Sequence, residues 1–318
     1  MEEMAYSYSD IWLTPHLSRV TSRQTIDTTW TLGGNTFKVP VIPANMVDTI
    51  DQSIAEELVD SGNFYIYHRF RNTYKLVKDF NATGRLVSIS VGVNDRDRDL
   101  VKQLANEQLR CDYITIDVAH GHSLLVAEMI PYIRLHFPHT FIIAGNVCTQ
   151  DGTQYLEQHG ADCVKVGIGQ GGACTTKFKT GFTMPMFTAV NNCAWGEVNV
   201  PIIADGGVKH NGDIAKAIVA GATAVMAGGV FAQLSQSPAG RTQQGEKIYS
   251  GSASTWVKRA TGRDERNIEG TTRYVQEVQM SYLSKIQEIQ EDLQSAISYA
   301  GGNRLNDLRL AKYVVHHE

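Results

Sequence analysis

The segment KVGIGQGGACTTKFKTGF (165–182) begins as an apolar run and ends as a polar, basic loop. Between the two lie Gly167, Gly169, Gly171 and Gly172. Glycine loses more backbone entropy on folding than any other residue, so this density indicates positive φ angles or a close approach of the backbone to a ligand. Short apolar runs that end on glycine recur as SVGV (90–93), IAGNV (143–147), IADGG (203–207) and MAGG (226–229). The segment is therefore one instance of a repeated unit.

This unit, a short apolar strand followed by an amphipathic helical stretch, occurs eight times along the chain. The strands are apolar on both faces, as parallel strands covered by helices must be. Eight such units predict an α/β fold, specifically a (β/α)8 TIM barrel, whose active site is built at the C-terminal ends of the strands. We expect a single domain over 1–318, with the strands at 39–46, 63–70, 85–93, 112–119, 140–147, 161–169, 200–208 and 223–231.

Two loops and a terminal helix complete the predicted barrel. The cysteine loop covers 170–183 and follows the sixth strand. Residues 235–273, after the eighth strand, are polar and lack periodicity, which is typical of a mobile flap or of disorder. A long amphipathic helix is predicted over about 274–300, packed on the barrel or on a neighbouring subunit. Its apolar stripe comprises Val278, Tyr282, Ile286, Ile289, Leu293 and Ile297.

Composition excludes several classes of protein. The net charge is −4 with no block of like charge, which argues against a nucleic-acid-binding surface. No apolar run approaches the roughly 18 residues of a membrane span, and the acidic N-terminus is unlike a secretory signal. Five cysteines without a CxxC pair suggest neither a disulfide framework nor a zinc knuckle. We expect a cytoplasmic protein.

Cys174 is the candidate nucleophile of the cysteine loop. Free cysteines are usually buried and idle. A thiol at the rim of a glycine-rich loop is better placed to react, provided that it has a positive environment or a nearby base. Lys177, Lys179 and the N–H groups of the loop could supply that environment. We therefore interpret Cys174 as catalytic.

Glycine turns follow the seventh and eighth strands, at Asp205-Gly206-Gly207 and Gly228-Gly229. Each could be no more than a tight turn. Together, at the two strands whose loops commonly bind a phosphate in barrels, they favour a phosphate site. The Asp205 carboxylate could bind ribose hydroxyls or cap the following helix.

The motif His120-x-His122 raises a metal hypothesis, because some barrel hydrolases bind zinc through such pairs. No second histidine cluster accompanies the pair, so a metal-dependent hydrolase is a disfavoured alternative.

Seven motifs occur in an order that resembles the IMP dehydrogenase/GMP reductase family. They are PANMV (43–47), ITIDVAHGHS (114–123), IIAGNV (142–147), GIGQGGACTT (167–176), IIADGG (202–207), VMAGG (225–229) and YSGSAS (249–254). The resemblance runs from residue 9 to about 310 and implies a TIM barrel that binds purine nucleotides.

Within the family, the chain resembles the reductase branch, in the form found in Gram-positive bacteria. There is no room after the second strand and helix for the regulatory domains that the dehydrogenases usually insert. The flap sequence GRDERNIEGTT (262–272) also lacks the Arg-Tyr pair with which dehydrogenases activate water. Thr176 and Glu269 match the threonine and glutamate that reductases pair. A dehydrogenase without regulatory domains and a catalytically silent purine-nucleotide-binding regulator are the alternatives.

The resemblance implies NADPH-dependent reductive deamination of GMP to IMP and ammonia. Cys174 would form a covalent thioimidate adduct at purine C2, with Thr176 as proton relay and Glu269 as acid/base. Asp205 would bind the ribose diol. The other implied substrate contacts are Gly206, Gly207, Gly228 and Gly229 at the phosphate, and Gly251, Ser252, Arg266 and Gly270 closing over the nucleotide.

The resemblance also implies a cofactor site, a cation site and an assembly. Asp117 would lie near the nicotinamide, and Arg69 stands where a lysine is common. Ser295 and Ser298 would reach the adenosine part of a neighbour's cofactor, which implies a homotetramer. Gly167, Ile168 and Gly169 complete the expected cofactor contacts, and the carbonyls of Gly169, Gly171 and Cys174 would bind a monovalent cation, typically potassium.

Overall fold

The computed structural model describes residues 4–316, so the termini of the domain predicted over 1–318 lie outside the described residues. The strands are β1 (Ile11–Thr14), β2 (Trp30–Leu32), β3 (Asn35–Phe37), β4 (Val41–Pro43), β5 (Ser88–Val91), β6 (Tyr113–Asp117), β7 (Phe141–Val147), β8 (Cys163–Val166), β9 (Ile202–Asp205), β10 (Ala224–Ala227), β11 (Lys247–Ser250), β12 (Thr272–Val275) and β13 (Lys312–Val315). The helices are α1 (Gln52–Asp60), α2 (Thr73–Thr83), α3 (Asp95–Asn106), α4 (Leu124–His136), α5 (Gln150–Gln158), α6 (Thr176–Thr180), α7 (Met186–Ala194), α8 (Asn211–Val219), α9 (Gly229–Ala232), α10 (Thr255–Ala260) and α11 (Tyr282–Tyr299).

A parallel sheet of seven strands forms the centre of the molecule, in the order β4-β10-β9-β8-β7-β6-β5. Helices separate its strands along the chain, which is the arrangement of a (β/α)8 barrel. Residues at the C-terminal ends of neighbouring strands meet in register, as Met226 of β10 does with Asp205 of β9. The predicted fold class is therefore confirmed.

The eighth position of the barrel is occupied by a single bridge rather than by a full strand. The N–H of Tyr67 donates to the carbonyl of Ser88 (3.0 Å), and the N–H of Ser90 donates to the carbonyl of Tyr67 (2.9 Å). The prediction of a strand over 63–70 was too long. The N–H of Phe70 turns to the ring Nδ1 of His68 (3.3 Å), so the chain leaves the sheet directly after the bridge.

The flap (235–273) contains regular structure that its composition did not predict. Strand β11 pairs antiparallel with β12, with Ile248 opposite Tyr274. The buried ammonium of Lys247 anchors the hairpin by donating to the carbonyls of Ser235, Ser237 and Ala239. Of the two expectations for this segment, a mobile flap or disorder, the second does not hold, and the hairpin was not predicted because its pairing partners are distant in sequence.

The C-terminal helix begins later than predicted. Residues 272–275 pair with β11, and α11 starts at Tyr282 after Ser281, whose hydroxyl caps it by accepting from the N–H of Ser284 (3.1 Å). Val278 lies outside the helix, in a bridge with Leu234. The other stripe residues are buried against the barrel, where α11 packs on α8: Tyr282, Ile286, Ile289, Leu293 and Ile297.

Short strands at the two ends of the chain tie it together. The predicted hairpin is present as β2 and β3, which turn at Gly33 and Gly34 (φ +55° and +83°). Strand β1 pairs antiparallel with β13, so the two ends of the described chain lie side by side. Among residues 4–316, no helix is long and apolar enough to cross a membrane.

Candidate active site

Cys174 lies on the turn between β8 and α6, where the flap folds back onto it. The backbone of Cys174 forms an antiparallel bridge with that of Gly270. The N–H of Thr175 donates to the carbonyl of Glu269 (2.8 Å), and the N–H of Thr271 donates to the carbonyl of Ala173 (2.9 Å). Residues about 95 positions apart are thus joined through their main chains.

The same contact joins three side chains in a hydrogen-bonded row. The Thr176 hydroxyl donates to Glu269 Oε2 (2.8 Å) and lies 3.2 Å from Cys174 Sγ. A hydroxyl has one proton, so if it is given to the carboxylate, the thiol is the donor in the second contact. The row can therefore carry a proton from sulfur towards Glu269.

A cavity of about 290 Å³ opens beside this row at the C-terminal ends of the barrel strands. Its walls include the predicted catalytic residues and most of the other predicted site residues. Those lining it are Cys174, Thr176, Glu269, Asp205, Asp117, Arg69, Gly167, Ile168, Gly169, Gly171, Gly251, Ser252 and Gly270.

The glycines after β9 and β10 lie beside the cavity rather than in its wall. The N–H groups of Gly206 and Gly207 donate to the carbonyls of Met226 (3.3 Å) and Gln170 (3.2 Å). Both residues adopt positive φ (+101° and +78°), so a tight turn accounts for them. A Cβ atom on Gly228 would collide with the hydroxyl of Tyr249.

Three predicted contacts are not brought into the cavity within this chain. The Arg266 guanidinium is 85% exposed and pairs with Asp264 at 2.5 Å. On α11, Ser295 accepts from Arg23 (3.2 Å), and Ser298 lies 3.3 Å from Ser18.

Lys165 is a central member of the site that sequence reasoning did not assign. Its ammonium lies 3.0 Å from Asp117 Oδ1 and 2.5 Å from Asp205 Oδ2, and its side chain is 2% exposed. Burial opposes the charge of Lys165, yet the two carboxylates raise its pKa above the usual value. Burial likewise opposes the charge of Asp117, but the charges of Lys165 and Arg69 hold its pKa below the usual range. A lysine inside the otherwise apolar strand CVKV was the signal that could have identified this residue.

Asn146 is a second unassigned member of the cavity wall. Its Nδ2 donates to Asp205 Oδ2 (2.9 Å) and to the carbonyl of Gly167 (2.7 Å). With Lys165, it holds the Asp205 carboxylate in one orientation. The remaining polar wall residues that the sequence did not indicate are Asn45, Gln170, Tyr249, Arg263 and Asn267.

The two histidines of the metal hypothesis lie away from the cavity. Their ring centroids are 6.4 Å apart, and His122 packs on Tyr155. Over residues 4–316, no group of three or more histidine, cysteine, aspartate or glutamate side chains is arranged to hold a metal ion.

Known proteins are similar in sequence to this chain over nearly its whole length. Residues 5–317 match the family model described as the IMP dehydrogenase / GMP reductase domain. A GMP reductase of Bacillus subtilis is 45% identical over 320 residues, which cover 98% of this chain and 96% of that protein. A GMP reductase of Shouchella clausii is 45% identical over 99% of this chain and 96% of its own, and one of Bacillus licheniformis is 44% identical over 98% and 96%. The chain therefore belongs to the IMP dehydrogenase/GMP reductase family.

Proposed function

We propose that this chain is a GMP reductase, an oxidoreductase of purine salvage that converts GMP to IMP and ammonia. The observation that carries the proposal is the row Cys174–Thr176–Glu269, which the flap completes at the wall of the cavity. The three relatives described above bear the name GMP reductase and support the same reading. The overall reaction is GMP + NADPH + H⁺ → IMP + NADP⁺ + NH₃.

In the first half of the reaction, Cys174 Sγ attacks C2 of the purine. Its proton passes through the Thr176 hydroxyl to Glu269, over contacts of 3.2 and 2.8 Å. The same row returns a proton to the 2-amino group, so that ammonia rather than an amide anion leaves. A thioimidate on Cys174 results, in which a C–S bond has replaced the C–N bond.

In the second half, the adduct is reduced and resolved. NADPH, when bound, supplies the hydride that the reaction consumes. The C2–S bond then breaks, IMP is released and Cys174 is restored. The main-chain bridge between Cys174 and Gly270 would hold the flap over this adduct and limit the access of water. Hydrolysis of the adduct, the step for which dehydrogenases activate water, is thereby disfavoured.

The substrate is proposed to lie with its ribose on Asp205, whose carboxylate Lys165 and Asn146 orient. The phosphate would then lie near Gly228 and Gly229, since the N–H groups of Gly206 and Gly207 are already used within the protein. Gly251, Ser252 and Gly270 would close over the base.

The residues present fit a nicotinamide cofactor beside the substrate. Arg69 Nε is buried without a hydrogen-bond acceptor, and the Asp117 carboxylate lies 3.9 Å away. Those two residues, with the backbone at Gly167, Ile168 and Gly169, would hold the nicotinamide end. We propose NADPH as the reductant, by similarity to the family.

A potassium ion, a homotetramer and a cytoplasmic location complete the proposal. The carbonyls of Gly169, Gly171 and Cys174 would bind the ion, and Ser295 and Ser298 would face a neighbour's cofactor. All five cysteines are free, which suits a reducing compartment. Activity measured in K⁺ and in Na⁺, together with light scattering in solution, tests the first two.

The decisive experiment crosses GMP and IMP with each reduced and oxidised cofactor. GMP with NADPH should consume NADPH and release one ammonia per turnover. Oxidation of IMP by NAD⁺ without reduction of GMP would replace the proposal with a dehydrogenase that lacks regulatory domains. Tight nucleotide binding without turnover would indicate a silent regulator. Cys174→Ala should abolish activity, whereas Cys148→Ala, outside the cavity wall, should retain it.

A further inference from the structure

Two guanidinium groups lie over one aromatic ring at the edge of the cavity. Arg69 Cζ lies 5.0 Å from the centroid of the Phe70 ring, and Arg263 Cζ, from the flap, lies 4.3 Å from the same centroid. Both arginines line the cavity. The cation–π contacts with the Phe70 ring hold the two guanidinium groups close together, although their positive charges repel each other.

Arg263 has no acidic partner. Its donors bind the Thr261 hydroxyl (3.0 Å) and the carbonyl of Ser252, and no carboxylate of residues 4–316 lies within ion-pair distance. Burial and the charge of Arg69 lower the pKa of Arg263 to about 10. This arrangement favours the binding of an anionic ligand at Arg263.

The positive charge of Arg69 is only partly neutralised by carboxylates. Its Nε is buried without an acceptor, 3.9 Å from Asp117. Asp97 lies in the same region as Arg69: a Cβ atom built on Gly92 would contact both Asp97 Oδ2 and Arg69 Nη1. That carboxylate is outside ion-pair distance. Asp117 in turn is engaged by Lys165, so Arg69 shares its nearer carboxylate with a second cation.

The remaining charged groups around Phe70 do not neutralise the pair. Arg71 donates to the carbonyl of Ala260 (2.9 Å), which adds a third cation. The Asp48 carboxylate accepts from the N–H of Ser250 (2.7 Å), and the cation that acts on it is Arg71 rather than Arg69 or Arg263. The edge of the cavity is therefore cationic.

We propose that Arg69 and Arg263 bind the diphosphate of the nicotinamide cofactor, an inference that rests on the proposed function. Guanidinium forks match phosphate oxygens in geometry and charge. Arg69 adjoins Asp117, where the nicotinamide is expected, and the diphosphate is separated from that ring by one ribose only. The 2′-phosphate is attached to the adenosine ribose, on the other side of the diphosphate from the nicotinamide. The GMP phosphate is proposed to lie elsewhere, near Gly228 and Gly229 at the end of β10.

The test measures binding of NADPH and NADH to the Cys174→Ala protein, in which no turnover occurs. Arg263→Gln should raise both dissociation constants by about tenfold, the expected cost of one charge-assisted contact. It should leave the dissociation constant of GMP unchanged. Arg263→Lys, which keeps the charge, should restore part of the affinity. Arg259→Gln is the matched control, because that flap arginine is 68% exposed and pairs with Glu265.

A second measurement uses the protein with its native flap and truncated ligands. Reduced nicotinamide mononucleotide, which carries one phosphate, should bind more tightly than reduced nicotinamide riboside, and added salt should shrink the difference. Equal affinities of the two ligands would overturn the proposal.

The other outcomes of the binding measurements distinguish this inference from the proposed function. A loss confined to NADPH would assign the arginines to the 2′-phosphate and overturn the proposal, as would a loss of GMP affinity. Unchanged cofactor binding in Arg263→Gln, with GMP still reduced by the unmodified enzyme, overturns this inference alone. Failure of the unmodified enzyme to reduce GMP overturns the proposed function instead.

Discussion

At the scale of single residues, the site depends on one buried cation held between two carboxylates. Lys165 contacts the carboxylate proposed to bind the ribose and the one proposed to face the nicotinamide. Removing a partner from a buried ion pair leaves an uncompensated charge, which costs more than the pair contributes. The two carboxylates are therefore positioned by the same ammonium.

Replacing this ammonium should affect both binding and stability. Lys165→Met should lower the free energy of unfolding by about 3–5 kcal/mol, because Asp205 then loses its cation and Asp117 keeps only the more distant Arg69. The dissociation constants of GMP and NADPH should both rise. Lys102→Met on the exposed face of α3 is the control, and denaturant unfolding with equilibrium binding provides the measurements. Normal binding of both ligands by Lys165→Met would show that the carboxylates are positioned otherwise.

The proton relay can be tested with two adjacent threonines. Thr176→Val removes the hydroxyl between sulfur and carboxylate, and kcat should fall roughly 10²–10³-fold with little change in the KM for GMP. Thr175→Val is the matched control, because the Thr175 hydroxyl is buried without a hydrogen-bond partner. Equal kcat values for the two variants would exclude Thr176 as the relay.

At the scale of elements, the flap contains a β-hairpin and pairs with the cysteine loop through its backbone. Its β11–β12 hairpin joins α10 and the segment around Gly270 to the cysteine loop. The flap passes so close to itself that a Cβ atom on Gly270 would lie 2.7 Å from the N–H nitrogen of Ser254. Glycine is required there for closure.

A methyl group at this position should hold the flap open. Gly270→Ala should lower kcat/KM for GMP by at least about tenfold, since overpacking typically costs 1–3 kcal/mol. The flap should also be cleaved faster by protease. Gly212→Ala places its methyl group in open space on α8 and should behave like the unmodified enzyme. Unchanged proteolysis of Gly270→Ala would show that the flap closes around the extra methyl group.

At the scale of the whole molecule, the barrel was predictable because its strands carry their signal locally. Apolar, β-branched runs such as CVKV specify parallel strands wherever they occur in the chain. The strands β1, β12 and β13 have exposed faces and form only against distant partners, so no local pattern marks them. The candidate catalytic residues Cys174, Thr176 and Glu269 were predicted through their motifs. Lys165 and Arg263 were not, since their roles arise from residues brought together by folding.

A buried histidine should make the stability of the whole fold depend on pH. Burial lowers the pKa of His68 from 6.5 to about 4, so between these values the unfolded chain binds a proton that the folded chain does not. Stability should therefore fall as pH falls from 6.5 to 4. His68→Asn, which retains an acceptor for the N–H of Phe70, should lose about 2 kcal/mol of the difference between pH 7 and pH 4.5. Parallel pH profiles of the free energy of unfolding would contradict this assignment, and the opposing contribution of Asp48, whose pKa burial raises to about 6, cancels in the comparison.

The main-chain bridge between Cys174 and Gly270 has a consequence for the reactivity of the thiol. Glu269 contacts Thr176 in the conformation where the adjacent backbone pairs with the cysteine loop, so the proposed nucleophile and its proposed proton acceptor are joined in this closed form. A conformation in which this bridge is broken would leave the thiol without this acceptor. Activation of the thiol would thus be coupled to closure of the flap, so that the sulfur would react with the bound substrate rather than with other electrophiles.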